Sequence, residues 1–183
     1  MAERAPRRNA IRFEAQMRRL GRSTILRLPD DASAKLPSRG QVAVEGTVNR
    51  QRFRAVLEPD GRRGHWLKVD EKLRRALAAS EGETVALELE PSKDWPEPVI
   101  PKDFQAALAG ATDISELWQD ITPMARWEWV RWINATKNPE TRKRRVEVGI
   151  SKLRSGKRRP CCFDLTACTD PDLAKNGRLV DVG

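Results

Sequence analysis

Tyrosine is absent from this sequence and histidine occurs once, as His65. A single histidine excludes a paired-histidine metal site and makes His65 the sole candidate for any histidine-centred triad. Cysteine occurs three times, at Cys161, Cys162 and Cys168, all late in the chain. The C-C-x5-C pattern lacks the four spaced ligands of structural zinc, so neither a metal nor another cofactor is expected. An odd, clustered set of thiols fits a reducing compartment, and a cytoplasmic location is expected. No apolar run approaches the roughly 18 residues of a membrane span. Residues 1–20 are basic without an apolar centre, so no secretory signal is expected either. Glycine-rich phosphate loops are missing as well; Gly61-Arg62-Arg63-Gly64 has the wrong spacing and reads as a basic hairpin turn.

What is present is charge, unevenly placed. Of 183 residues, 35 are Lys or Arg and 26 Asp or Glu, for a net charge of +9. Residues 1–27 carry +6 and residues 137–159 carry +8, whereas 28–136 sum to −3 and 160–183 to −2. Two short segments therefore hold the basic character, which suits phosphate backbones and other polyanions. Hydrophobic residues at 39% and charged residues at 33% fit a globular chain rather than a wholly disordered or membrane one.

Periodicity divides the chain. Residues 1–10 read as a flexible basic arm. Ile11, Phe13, Ala15 and Met17 alternate with polar residues, as in a half-buried strand. Further strands are expected at 24–28, 41–48, 53–57, 65–69 and 84–89. Asn49-Arg50 is placed as a two-residue hairpin turn, because Asn tolerates positive φ. Asp70 is placed as the cap of a helix over 71–79 that Gly82 ends. Ile25–Asp30 leading to Leu36 and Gly40 is echoed by Trp66–Glu71 leading to Leu77 and Gly82. Leu28 and Val69 share with Leu36 and Leu77 an offset of 41 residues. A repeat of this kind implies two copies of one strand–helix–strand unit. Pro91–Pro101 holds four of the 12 prolines and reads as a semi-rigid linker, with Trp95 and Val99 expected to pin it. Beyond it the pattern is helical. Thr122-Pro123 and Asn138-Pro139 are cap-and-start signals, and Val146, Ile150 and Leu153 form an apolar stripe ending near Gly156. These readings give an α+β protein: arm 1–10, β-barrel 11–90, linker 91–101, helical domain 102–157 and irregular tail 158–183.

Particular residues carry a family resemblance. They are Phe13-Glu14-Ala15, Gly40-x-Val42-x-Val44-x-Gly46-Thr47-Val48-Asn49, Ile100-Pro101-x-Asp103-Phe104, Trp132-Ile133, Ala135-x-Lys137, Glu140-Thr141-Arg142 with Arg145, and Leu153-x-x-Gly156-Lys157. Together they resemble the bacterial YdeI/OmpD-associated, or bacteriocin-protection, family, over about residues 11–158. The resemblance implies a small β-barrel domain of unknown function joined to helices. The repeated unit also resembles the swapped-hairpin barrels of the AbrB and MazE type, in fold only. The family name implies a role in protection against bacteriocins or cationic peptides, and it brings no catalytic residues.

The candidate anion or nucleic-acid contacts are Lys137, Arg142, Arg144, Arg145, Lys152, Arg154, Lys157 and Arg158. Lys137, Arg142 and Arg145 near a helix N-terminus suggest an anion pocket, whereas a structural role would pair Arg142 with a carboxylate such as Asp103. Arg144, Arg145 and Lys152 are placed opposite the apolar stripe. Trp129, Trp132 and Ile133 are expected in the core. Trp127, Arg131, Arg62 and Arg63 are candidate partner contacts. The expected function is a non-enzymatic binding protein for a polyanion, nucleic acid above all. The alternatives are a small-ligand binder or enzyme using a cleft between barrel and helices, and a protein-interaction adaptor.

Overall fold

The computed structural model describes residues 9–160 and 170–180. Most of the basic arm and the three cysteines lie outside the described residues. The chain forms two compact units, the first running to Pro96 and taking back the C-terminal residues from Arg178, the second spanning Glu97–Gly177.

The first unit is a closed antiparallel barrel. Its strands are β1 (Ile11–Leu20), β2 (Ser23–Arg27), β3 (Val42–Val48), β4 (Gln51–Pro59), β5 (His65–Val69) and β6 (Thr84–Pro91). Around the barrel they run β1-β2-β5-β4-β3-β6. Short helices α1 (Asp30–Ala34) and α2 (Glu71–Leu77) follow β2 and β5. On β1 the alternation is realised: Ile11, Phe13, Ala15 and Met17 are buried, and Arg12, Glu14 and Gln16 face outward. Leu26, Leu28, Leu57, Leu67 and Leu89 fill the interior.

The repeat appears as an internal two-fold. Exchanging β1 with β4, β2 with β5 and β3 with β6 leaves the strand order unchanged. The axis passes the Leu26–Leu67 pair, flanked by the matched pairs Ile25–Lys68 and Arg27–Trp66. The repeat is longer than the offset of 41 suggests. Arg12-Phe13-x-Ala15 in β1 recurs forty residues later as Arg52-Phe53-x-Ala55 in β4.

Asn49 (φ 46°) and Arg50 (φ 64°) form the expected left-handed two-residue turn. The Asn49 amide donates to the carbonyls of Ala76 and Leu77, each at 3.0 Å. Asp70 caps α2 by accepting the Leu73 N–H at 2.7 Å. The helix ends earlier than expected, at left-handed Ala78 rather than at Gly82, because Asn49 already satisfies its last carbonyls. Gly46 lies where an added Cβ would come within 2.4 Å of the Phe53 ring, so only glycine lets that ring lie against β3.

The second unit contains α3 (Lys102–Gly110), a 3-10 turn (Thr112–Ile114), α4 (Ser115–Asp120), α5 (Pro123–Asn134) and α6 (Pro139–Arg154). Thr122 caps α5, accepting the Ala125 N–H at 3.2 Å. Asn138 caps α6, accepting from Glu140 and Thr141 at 3.0 Å each. Phe104, Trp129, Ile133, Ile150 and Leu153 form the core.

Two expectations need correction. Val99 is 89% exposed and pins nothing, whereas Pro98 is buried. The extended segment alternates its faces, and Val99 falls on the outer one. The tail is not irregular throughout: Ala174–Lys175 (β7) and Arg178–Leu179 (β8) form a short hairpin around left-handed Asn176 and Gly177. Leu173 and Leu179 are buried, and the Leu179 N–H donates to the Asp60 carbonyl at 3.0 Å.

Candidate functional site

The basic residues of α6 divide by what already neutralises them. Arg142 grips Asp103 through two bonds and also donates to the Asn134 side chain at 3.1 Å. This is the pairing expected for a structural role. Hydrogen bonding from Arg142 holds the Asp103 carboxyl below the usual carboxylate range, against the opposing effect of burial. Arg154 pairs with Asp113 at 2.7 Å, and Arg158 pairs with Asp120. Lys137 pairs with Asp172. Lys137, Arg142 and Arg145 therefore do not converge on an empty anion pocket: two of them hold carboxylates and the third holds a carbonyl.

Two further cations, Arg145 and Lys152, meet at one aromatic ring. Arg145 donates from Nη1 to the Trp132 carbonyl at 2.6 Å, and its guanidinium lies 5.6 Å from the Trp132 ring centroid. Lys152 Nζ lies 5.2 Å from the same ring. No carboxylate pairs with either cation among the described residues. Arg144 and Lys157 are exposed nearby in sequence and carry no ion pair there. Arg145 and Lys152 thus do not lie opposite the core stripe. With Gly149 they occupy positions i, i+4 and i+7, one stripe along α6, and Trp132 lies against it at Gly149. A Cβ there would stand 3.7 Å from the Trp132 ring. Trp132, expected in the core, packs against it half-buried, edge-on to fully buried Trp129 at 6.1 Å. The sequence signal for this platform is the i, i+7 spacing of two basic residues on α6.

The candidate partner contacts fare differently. Arg131 is 7% exposed and Trp127 half-buried, because the C-terminal half of α5 is covered on several sides: Glu128, Trp129, Val130 and Ile133 are buried with Arg131. Arg131 is therefore no surface contact. Burial pushes the Glu128 carboxyl up, against the pull of Arg159 and Arg131. Arg62 and Arg63 are exposed on the turn after β4, where their backbone is engaged. Asp60 accepts the Arg62 and Gly64 N–H groups at 2.7 and 2.8 Å, and the Arg63 carbonyl accepts from Arg39.

His65 is fully buried. Its Nε2 lies 3.0 Å from the Gly40 carbonyl, which can only accept, so that nitrogen carries the proton. Nδ1 then accepts from the Ser33 hydroxyl at 3.3 Å. Burial holds the ring pKa below its ordinary value, and a neutral, satisfied, inaccessible imidazole is a core residue rather than a catalyst.

No helix among the described residues is long and apolar enough to cross a membrane. Among those residues no group of His, Cys, Asp and Glu could hold a metal ion. Residues 97–156 match the family model described as Bacteriocin-protection, YdeI or OmpD-Associated. Residues 13–89 match that of a domain of unknown function (DUF1905). No curated protein matches the chain.

Proposed function

In a chain that belongs, through residues 97–156, to the bacteriocin-protection, YdeI or OmpD-associated family, we propose that the α6 face around Trp132 binds a polyanion, with nucleic acid the best-fitting partner. One observation carries this: Arg145 and Lys152 both stand over the Trp132 ring, and among the described residues no carboxylate offsets either charge. Two cations at one ring raise the positive potential of this face, and a phosphate seated there meets both. The ring restricts both side chains, so less entropy is lost when a phosphate arrives. Arg144 and Lys157 extend the same charge along the backbone of the partner. Arg142, Arg154, Arg158 and Lys137 contribute less, since each already holds a carboxylate. The chain acts without chemistry on its partner, as a binding protein, and its cysteine usage favours the cytoplasm as its location.

The test is fluorescence anisotropy of labelled single-stranded and duplex oligonucleotides over a salt series. Binding should weaken steeply with salt, with a slope of about 0.9 per phosphate contact on duplex DNA. Arg144→Ala, Arg145→Ala and Lys152→Ala together should abolish it, while Arg154→Ala leaves it nearly unchanged. An affinity indifferent to salt, or equal loss from Arg154→Ala, would refute the assignment.

A further inference from the structure

The barrel carries a second basic site, on the side where β3, β4 and β5 meet α2. A cleft of about 500 Å³ opens there. Its walls include Arg52 on β4, Lys68 on β5 and Lys72 on α2, and an apolar floor of Phe53, Leu73 and Ala76. Arg54 also lines the cleft, tied to Glu45 at 3.1 Å and Asp94 at 3.5 Å. Arg52, Lys68 and Lys72 have no ion pair among the described residues. Asp70 reaches the cleft too, with Oδ1 occupied by the Leu73 N–H.

The internal two-fold supplies a control within the same molecule. The repeat partner of Arg52 is Arg12, which pairs with Glu88 at 2.6 Å. The partner of Lys68 is Arg27, which is offset by Asp60 at 3.3 Å and Asp30 at 3.7 Å. The partner of Lys72 is the acidic Asp31. One half of the barrel thus neutralises, or reverses, each position that the other half leaves positive. Shared fold constraints therefore do not account for three cations around one concavity that have no ion pair among the described residues.

We propose that this cleft binds a small phosphomonoester carrying a flat ring, of mononucleotide size. The volume falls within the range that encloses such a molecule. A phosphomonoester brings nearly two negative charges and three acceptor oxygens, which suit three cations better than a single carboxylate does. Arg52 supplies a planar fork for two oxygens, and Lys68 and Lys72 supply point charges. The apolar floor takes the ring, and Asp70 Oδ2 is placed to accept a sugar hydroxyl. The site is separate from the α6 face and does not depend on it.

Isothermal titration calorimetry of the full chain with adenosine 5′-monophosphate, adenosine and inorganic phosphate tests this. The monophosphate should bind more tightly than either fragment. Arg52→Gln, Lys68→Gln and Lys72→Gln together should weaken it at least about tenfold, or 1.4 kcal/mol. These three side chains are exposed, so the variant should keep the wild-type melting temperature. Arg12→Gln, at the symmetry-related position, and Lys152→Ala, on α6, should leave the affinity unchanged. Absence of saturable binding overturns the proposal. So does equal affinity for phosphate and monophosphate, an unaffected triple variant, or an effect of that variant on oligonucleotide binding alone.

Discussion

Arg142 clasps Asp103 with two nearly parallel bonds, Nε to Oδ2 at 2.6 Å and Nη2 to Oδ1 at 3.0 Å, joining α6 to the first turn of α3. Fork-to-carboxylate geometry of this kind outperforms an ordinary exposed ion pair. Replacement Asp103→Asn should cost about 1 kcal/mol, since both partners retain some solvent contact. The folded carboxyl titrates below its unfolded value, so its contribution is complete above about pH 4 and lost as pH falls through the folded value. Urea denaturation at pH 7 and pH 3 measures both effects. The gap between variant and wild type should narrow at the lower pH.

His65 has the opposite charge chemistry and the same direction of response. The buried ring favours the neutral form in the folded state, whereas the unfolded chain protonates near about pH 6.5. Stability should therefore be complete above that pH and decline as pH falls below it, until the folded ring also protonates. His65→Gln should be less stable at pH 8, because Ser33 and Gly40 lose a well-fitted partner. It should also show a flatter loss between pH 7 and pH 5. Thermal melts across that range decide this, and a parallel decline in both proteins would contradict it.

Two glycines should respond to alanine with opposite signs. At Gly46 a methyl would meet the Phe53 ring at 2.4 Å and the Glu88 carbonyl at 2.7 Å. Neither can yield without opening the sheet, and Gly46→Ala should cost about 3 kcal/mol or more. At Gly149 the nearest atoms stand at 3.7–3.8 Å, an ordinary contact distance. Gly149→Ala should therefore stabilise the helix by about 0.5–1 kcal/mol through backbone entropy. Chemical denaturation of both variants checks the contrast.

Much of the scaffold could be read from residue order. Alternation along β1, the Asn49-Arg50 turn and the caps Asp70, Thr122 and Asn138 are local signals, and each depends on a few neighbouring residues. The pairing of Arg142 with Asp103 was also accessible, because a carboxylate and an arginine flanked the same helical core. The Trp132 platform was not. Its helical position groups it with Trp129 and Ile133, and how far it reaches the surface depends on how α5 packs against α6, which residue order does not give. The half of the two-fold formed by β1 and β4 is carried only by Arg-Phe-x-Ala, a shorter signal than the strand–helix pieces that follow it in each copy. The cleft was beyond reach for another reason. Arg52, Lys68 and Lys72 come from three elements, and which cations lack partners depends on carboxylates distant in the chain.

Closure of the six strands has a consequence for association. An open sheet would offer unpaired N–H and C=O groups as a template for a further strand, from a second copy or from an extended peptide. The barrel closes its circuit of strands, but β4 meets β5 only at Glu58–Trp66 and Pro59–His65, and its stretch Gln51–Leu57 pairs with β3 alone among the described strands. Where the ladders are complete, the backbone is withdrawn from edge-to-edge pairing. A partner that docks there must be selected by side chains, and a change of one charge can alter that choice without disturbing the ladder beneath.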